Sequence, residues 1–285
     1  LFSDSDNADR LRACDFAAAV RIIELGEESE AWLTSANGSC AIPDVSEHSV
    51  FTIPYTSGTT GDPKGVLVSN RSRVLTMYAM AAEYGCYSSD DRFLAIAPLC
   101  HGAGMVFALA SLFFGGYVQL TNRFDPETVL SILHNENITG VFMVPTHFHR
   151  IFELDDTILD QHKGTRLHAI VSNAAPLPNR TKEKIIQYFG NNLLHETYGS
   201  TEASIVSNLR PADQLRKRNC VGLPISSTLL HIRNENGDEC GPEEPGELFS
   251  SSPYLFDGYW ENPSETKAVL QNGWVSVGDI AKRDA

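Results

Sequence analysis

The chain has 285 residues, of which 42% are hydrophobic and 20% are charged, a composition typical of a globular protein with one large core or two smaller ones. Its formal net charge of −14 argues against nucleic acid or an anionic membrane as the main partner. Its six cysteines include no Cys-x-x-Cys pair, so we expect neither a zinc site nor a disulfide framework, and reduced thiols in the cytoplasm fit better.

Residues 1–49 show little pattern, and we predict that they are the remnant of a preceding subdomain, with 16–25 forming a strand or a short helix. From residue 50 onward, helical and strand patterns alternate. Helices are predicted to begin near Asn70, Ala103, Asp125, Pro145 and Asn179, and buried strands to lie at 92–97, 117–121, 138–144, 168–172 and 193–195. This alternation over 50–204 predicts an α/β fold, a doubly wound and mostly parallel sheet with helices on both faces.

The pattern changes after residue 204. Short strand segments are separated there by Gly, Pro and Asn, so residues 205–285 are predicted to form a small antiparallel β unit.

One segment requires a check for membrane insertion. Residues 93–122 contain no Asp, Glu, Lys or Arg, but Pro98 and several glycines interrupt them. The solidly apolar part, 103–114, is too short to cross a bilayer, and we expect no transmembrane segment.

Three loops follow predicted strands, at 97–104, 172–178 and 196–202. Ligands of doubly wound sheets bind beyond the carboxyl ends of strands, so these loops are expected to meet at one cleft.

The most informative stretch is residues 55–65, Tyr-Thr-Ser-Gly-Thr-Thr-Gly-Asp-Pro-Lys-Gly. Its glycines let backbone amides approach an anion closely, and its hydroxyls and Lys64 can complete a phosphate cradle. It is not a Walker A loop, because Pro63 stands where the second glycine belongs and Gly65 where a hydroxyl belongs. The alternative is a flexible surface turn rich in Gly and Thr.

The chain resembles the adenylate-forming superfamily of acyl- and aryl-CoA synthetases, peptide-synthetase adenylation domains and beetle luciferases, and most closely the acyl- and aryl-CoA synthetases. The resemblance rests on motifs in the family's order: the phosphate loop at 57–65, Tyr-Gly-Ser-Thr-Glu at 198–202, Gly-Glu-Leu at 246–248 with Gly-Tyr-Trp at 258–260 and Thr266, and Trp-Val-Ser-Val-Gly-Asp at 274–279. In the last motif Ser276 and Val277 replace the usual Arg-Thr.

The resemblance implies attack of a carboxylate on the α-phosphorus of ATP, giving acyl-AMP and pyrophosphate, and then formation of a thioester with CoA. It implies ATP, Mg²⁺ and CoA as cofactors and a small carboxylic acid as substrate. The implied cofactor-binding residues are Thr56, Ser57, Gly58, Thr59, Thr60, Gly61, Lys64, Ala174, Ala175, Pro176, Tyr198, Gly199, Thr201 and Asp279.

The same resemblance implies individual roles. Thr201 would contact the α-phosphate and Glu202 would bind Mg²⁺, which prefers hard oxygen ligands. Tyr198 would pack on one face of adenine, with 174–176 on the other, and Asp279 would accept hydrogen bonds from the ribose hydroxyls. The implied catalytic residues are Lys64, Thr201, Glu202 and His101, and the implied substrate residues are His101, Gly102, Met105, Asn173 and Ser200.

The substrate can be narrowed by an absent residue. Amino-acid-activating relatives place an Asp after the 98–101 loop, whereas residues 102–122 contain no acidic residue. A buried ammonium without a partner would be costly, so the substrate is expected to be a plain fatty or aromatic acid.

Asp284 resembles the hinge to the family's mobile C-terminal domain, whose lysine contacts the acyl carboxylate. We therefore expect this chain to be a truncated core that binds ATP weakly and adenylates poorly. Two alternatives stay open: an adenylation unit that loads a carrier protein, and a nucleotide-binding protein that has lost catalysis. The sequence does not identify the acid, its length or the number of copies that assemble.

Overall fold

A computed structural model of the protein describes residues 2–15, 19–35, 41, 43–57 and 62–284, except for the side chains of Phe2 and Ser57. The chain divides into two compact units, Leu1–Val45 and Ser46–Ala285.

The first unit is small and is built around one pair of short parallel strands. Its elements are β1 (Phe2–Ser3), α1 (Ser5–Arg12), β2 (Ile23–Glu24) and α2 (Glu27–Thr34). Asp4 caps α1 by accepting a hydrogen bond of 2.9 Å from the backbone N–H of Asn7. The predicted strand or helix at 16–25 falls partly outside the described residues, and its described part contains β2.

The second unit contains the alternating pattern. Its elements are β3 (Val50–Thr52), β4 (Tyr55–Ser57), β5 (Pro63–Ser69), α3 (Asn70–Tyr84), β6 (Arg92–Ala95), α4 (Gly102–Phe113), β7 (Tyr117–Leu120), α5 (Pro126–Asn135), β8 (Gly140–Met143), α6 (Pro145–Ile151), α7 (Asp156–Gln161), β9 (Ala169–Ser172), α8 (Asn179–Phe189), β10 (Leu194–Ser200), β11 (Ser204–Leu209), a 3-10 helix (Pro211–Asp213), β12 (Leu223–Pro224), β13 (Leu229–Arg233), β14 (Gly246–Ser251), β15 (Gly258–Tyr259), α9 (Pro263–Val269), β16 (Leu270–Gln271), β17 (Trp274–Val275) and β18 (Ile280–Ala281).

A seven-stranded sheet in the order β12-β11-β10-β9-β8-β6-β7 forms the centre of this unit. The pairings from β10 through β7 are parallel, whereas β11 and β12 are antiparallel. The predicted mostly parallel sheet is therefore confirmed. The sheet continues beyond residue 204, where the sequence pattern changes, because β11 forms a hairpin with β10 and belongs to the same sheet.

Both faces of this sheet are covered by helices. Successive residues of a strand face opposite sides. In β8, Phe142 packs in a cluster with Met80 of α3 and Phe107 of α4, whereas its neighbour Val141 packs with Leu130 of α5. The central strands β8 and β9 are buried along their whole length for this reason, and the predicted helices on both faces are confirmed.

Two smaller antiparallel sheets complete the unit. One has the order β13-β14-β17-β16, with β18 also paired to β14, and it forms the predicted β unit. The other contains β15, β5 and β3, with β4 paired to β5. In the described part of the chain, no helix combines the length and the apolar composition needed to cross a membrane.

Two helix starts and one loop differ in detail from the prediction. We expected Asn70 and Asn179 to cap these helices, but each is the first residue of its helix, and the capping positions are Ser69 for α3 and Pro178 for α8. The predicted loop at 196–202 is strand up to Ser200, because the hairpin with β11 extends it.

Candidate functional site

The predicted phosphate loop is flanked by two strands that pair with each other. Strands β4 and β5 are antiparallel and pair Thr56 with Lys64 and Ser57 with Pro63. Gly58, Thr59, Thr60 and Gly61 lie outside the described residues, so their predicted phosphate contacts stay predictions.

Lys64 contacts one side chain of helix α9 and one of strand β15. Its Nζ lies 2.5 Å from the Glu265 carboxylate and 5.4 Å from the ring centroid of Tyr259. Its side chain is only 12% exposed. The charge of Lys64 is therefore fixed in place beside the predicted phosphate loop, with one carboxylate partner.

Tyr259 also connects Lys64 to Glu202. The Tyr259 hydroxyl donates a hydrogen bond of 2.8 Å to Glu202 Oε1, and Glu202 is 7% exposed. Burial and this contact raise the pKa of the Tyr259 hydroxyl well above its usual range. The side chain of Tyr259 thus contacts both the predicted metal ligand, Glu202, and the predicted phosphate-binding lysine, Lys64.

Glu202 has the chemistry that a magnesium ligand needs. Mg²⁺ is commonly held by one or two carboxylates together with phosphate oxygens and water. Among the described residues there is no group of three or more His, Cys, Asp or Glu side chains that could hold a metal ion. A metal at Glu202 would therefore need the phosphates of a nucleotide as further ligands.

Tyr198 and Asp279 belong to two different sequence motifs and are in contact in the structure. The Tyr198 hydroxyl donates a hydrogen bond of 2.5 Å to Asp279 Oδ2. Burial of the phenol and this carboxylate raise the Tyr198 pKa well above its usual value. The predicted adenine and ribose residues are therefore direct neighbours.

A bulge follows Tyr198 in β10. The register with β11 shifts between Tyr198 and Gly199, and a Cβ at Gly199 would lie 2.0 Å from the backbone oxygen of Ser204. Only glycine fits this position, and the bulge directs Ser200 and Thr201 toward the cavity described below.

The loop after β9 is held by an asparagine. Asn173 Nδ2 donates hydrogen bonds to the Thr197 backbone oxygen at 3.0 Å and to Thr197 Oγ1 at 2.7 Å, and its Oδ1 accepts from the Ala174 N–H. Ala174 has a φ of 76°, in the left-handed region. Ala174, Ala175 and Pro176 are exposed, so they are free to form one wall of a binding site.

The loop before α4 is tightly folded. A Cβ at Gly104 would lie 2.4 Å from the Pro98 backbone oxygen, which also accepts a hydrogen bond of 3.1 Å from the His101 N–H. His101 stands exposed at the start of α4. Asp284, the predicted hinge residue, is exposed and forms an ion pair with Lys217.

A cavity of about 190 Å³ lies where these elements meet. Several predicted residues line it: Gly102, Asn173, Gly199, Ser200 and Thr201. His101 and Met105 are not among its lining residues, so their substrate roles stay predictions.

Sequence reasoning missed three polar residues of α3 that line this cavity, Ser72, Arg73 and Thr76. Their spacing places them on one face of a helix, and the rest of that face is apolar and buried. The signal available in the sequence was a cation, Arg73, on an otherwise apolar face of a predicted helix.

The chain resembles proteins of known activity over most of its length. The model of the AMP-binding enzyme family matches residues 3–260. The medium/long-chain-fatty-acid–CoA ligase FadD8 of Mycobacterium tuberculosis is 30% identical over 244 residues, which are 85% of this chain and 42% of that protein. A feruloyl-CoA synthase of Amycolatopsis is 34% identical over 245 residues, 82% of this chain and 47% of that protein.

Solved structures have the same fold. O-succinylbenzoate CoA synthetase of Bacillus subtilis, in complex with ATP and a magnesium ion, superposes with a TM-score of 0.85 at 25% identity, covering 100% of this chain and 57% of that chain. The chain spans less than half the length of the two curated relatives named above.

Proposed function

Because the chain belongs to the AMP-binding enzyme family, we propose that it carries the nucleotide and acid site of an AMP-forming acid–thiol ligase. The reaction would join a carboxylate oxygen to the α-phosphorus of ATP and release pyrophosphate. The thiol of CoA would then attack the acyl carbon of the adenylate and release AMP. The adenylate and the thioester are proposals for the protein that contains this chain.

The direct contact between Tyr198 and Asp279 carries this proposal. It places an aromatic face and a carboxylate side by side, as recognition of an adenosine requires, since the base stacks and the two ribose hydroxyls donate. The exposed residues 174–176 would lie on the other side of the base.

The residues around the phosphates would act by position and charge. Lys64 would neutralise the outer phosphates, and Thr201 would donate to the α-phosphate, because phosphoryl transfer depends mainly on clamping and electrostatics. Glu202 would hold Mg²⁺, which supplies charge stabilisation when bound. The hydrogen bond from Tyr259 fixes the orientation of that carboxylate.

The acid would occupy the cavity beside Gly102 and Ser200. A reacting carboxylate near Thr201 would then be close to the α-phosphate that Thr201 binds. The relatives named for fatty-acid and feruloyl substrates support a carboxylic acid and do not decide between the two types.

The nucleotide site can be tested with Asp279→Asn, which keeps the size of the side chain and removes its charge. We expect the affinity for ATP to fall by about 10- to 100-fold in isothermal titration, since hydrogen bonds to a charged group are the stronger kind. Asp238→Asn, an exposed acid in the turn between β13 and β14, is the matched control and should bind like the parent. Equal affinity of parent and Asp279→Asn would contradict the proposal.

A second assay addresses catalysis. Pyrophosphate release that depends on a carboxylic acid, followed by acyl transfer to free CoA, is expected of the longest native form of the protein. Transfer only to a carrier-protein thiol would make it a loading unit. ATP binding without any acid-dependent release would make it a nucleotide-binding protein.

A further inference from the structure

Arg73 is a buried cation on the inner face of α3. It is 7% exposed and lies among Ser72, Thr76 and Met77, which are also buried. Burial lowers the pKa of its guanidinium to about 10, so the group is still charged at neutral pH. Such a charge is costly to bury unless an opposite charge or several hydrogen bonds compensate for it.

The described residues supply little compensation. The guanidinium of Arg73 donates one long hydrogen bond, of 3.4 Å, to Thr52 Oγ1, and its Nε is buried without a partner. None of the ion pairs among the described residues involves Arg73. Lys182, which is also strongly buried, differs in this respect, because it pairs with the carboxylate of Glu196.

Arg73 lines the cavity of the proposed acid site. Arg73 contributes to the wall of this cavity of about 190 Å³ and also to that of an adjoining apolar cavity lined by Phe51, Met77 and Leu109. The residues that line the first cavity include no Asp or Glu. Ser72, Thr76 and Ser204 also line it, and the hydroxyls of Ser72 and Thr76 donate to the backbone oxygens of Tyr254 and Ser72.

We propose that Arg73 is a specificity residue that binds a second carboxylate, carried by the acid substrate at the end remote from the reacting carboxyl group. A carboxylate matches the planar guanidinium with two parallel hydrogen bonds. Substrate binding would thus supply the counter-charge that the fold leaves out.

This inference rests on the proposed function and narrows the proposed substrate from carboxylic acids in general to acids with a second carboxylate. The cavity of about 190 Å³ is of the size that holds a small organic molecule, so it has room for a short dicarboxylic acid. A plain fatty or aromatic acid, as expected from the sequence, would leave Arg73 without its partner.

The test compares inhibitors that differ in one charge. The probes are sulfamoyl analogues of acyl-AMP that carry either a glutaryl group or its methyl ester, titrated calorimetrically into the parent chain. We expect the glutaryl analogue to bind about 10- to 100-fold more tightly than the ester, as for a charged hydrogen-bonded pair. Equal affinities in the parent would overturn the inference without any variant.

Variants then assign the preference to Arg73. Arg73→Met should abolish the difference between the two probes, and Arg73→Lys should keep part of it. Arg71→Met is the matched control, because Arg71 is exposed on the same helix, pairs with Glu47 and should leave the preference intact. A preference that survives in Arg73→Met would contradict the assignment.

The two proposals fail in different ways. If neither analogue binds the parent, the proposed nucleotide site is wrong and the inference falls with it. If both bind equally and ATP binds as well, the proposed function stands and only the role of Arg73 is rejected.

Discussion

Ala174 adopts a backbone conformation that its side chain disfavours. Its φ of 76° costs an L-residue about 1–2 kcal/mol, and glycine is the residue that takes this conformation freely. The neighbouring Asn173 compensates by bonding both to Thr197 and to the Ala174 N–H. The strain lies in the loop that the proposal places beside the adenine.

Ala174→Gly should therefore stabilise the fold. The relieved strain exceeds the greater freedom of glycine in the unfolded chain, so we expect a net gain of about 0.5–1 kcal/mol in urea unfolding. Ala175→Gly, whose φ is not in the left-handed region, should lose about the same amount. A loss in both variants would show that Ala174 is not strained.

At this scale the sequence predicted residue types better than their contacts. The motifs identified Tyr198 and Asp279, which are far apart in sequence and in contact in the structure. They did not reveal that Glu265 pairs with Lys64 or that Arg73 enters the cavity. Neither residue lies in a phosphate or nucleotide motif, and their partners depend on tertiary packing.

Among the elements, α8 is attached to β10 by a buried ion pair. Lys182 of α8 contacts Glu196 of β10, with side-chain exposures of 2% and 8%, and Glu196 also accepts a hydrogen bond of 3.0 Å from the Leu177 N–H. Strand β10, which carries Tyr198 and ends one residue before Thr201, is thereby fixed against its helix layer.

Lys182→Met should destabilise the fold by about 3–5 kcal/mol, because it leaves the Glu196 carboxylate buried without a counter-charge. The double variant Lys182→Met with Glu196→Gln should recover part of this loss, since the unpaired charge is removed. Urea denaturation of the three proteins measures both effects. A double variant no better than the single one would contradict the explanation.

A second network joins β10 to β11 and α3. His195 Nδ1 accepts a hydrogen bond of 2.9 Å from Asn208, whose amide also donates to Glu83. This arrangement requires a neutral imidazole, and burial lowers the His195 pKa from 6.5 to about 4.

Stability should consequently fall in acid. Between pH 6.5 and 4 His195 is protonated in the unfolded chain and neutral in the folded protein. The contribution of His195 to the free energy of unfolding is therefore complete above pH 6.5 and is lost as the pH falls toward 4. The loss by pH 4 is about 3 kcal/mol. His195→Gln should show a smaller drop in unfolding free energy between pH 7.5 and 4.5. His147, whose pKa is also lowered to about 4, is present in both proteins and cancels.

The parallel sheet was predictable because its signal is local. Apolar strands of four residues alternate with capped helices, and both patterns are visible in short windows. The extension of the sheet by β11 and β12 was not predictable, since strand pairing across a hairpin gives no periodic signal that distinguishes one sheet from another.

For the whole molecule, the larger unit should fold by itself. Its hydrophobic clusters, which contain Met80, Leu130 and Val66 among others, all lie after Ser46. We expect the chain 46–285 to unfold cooperatively in urea with a midpoint close to that of the full chain, and to bind ATP equally well. Loss of a cooperative transition would show that residues 1–45 are needed for its core.

In the proposed function, the pairing of Lys64 with Glu265 would make phosphate binding an exchange of one anion for another. An incoming polyanion has to displace a carboxylate already 2.5 Å from the ammonium, so the gain is the difference between two attractions. Glu265 lies in the first turn of α9, and its release would remove the ion pair between that helix and β5. Binding of a polyanion at the loop is thereby coupled to the small β sheets. A mutation that weakens the ion pair between Glu265 and Lys64 should increase the affinity for the polyanion.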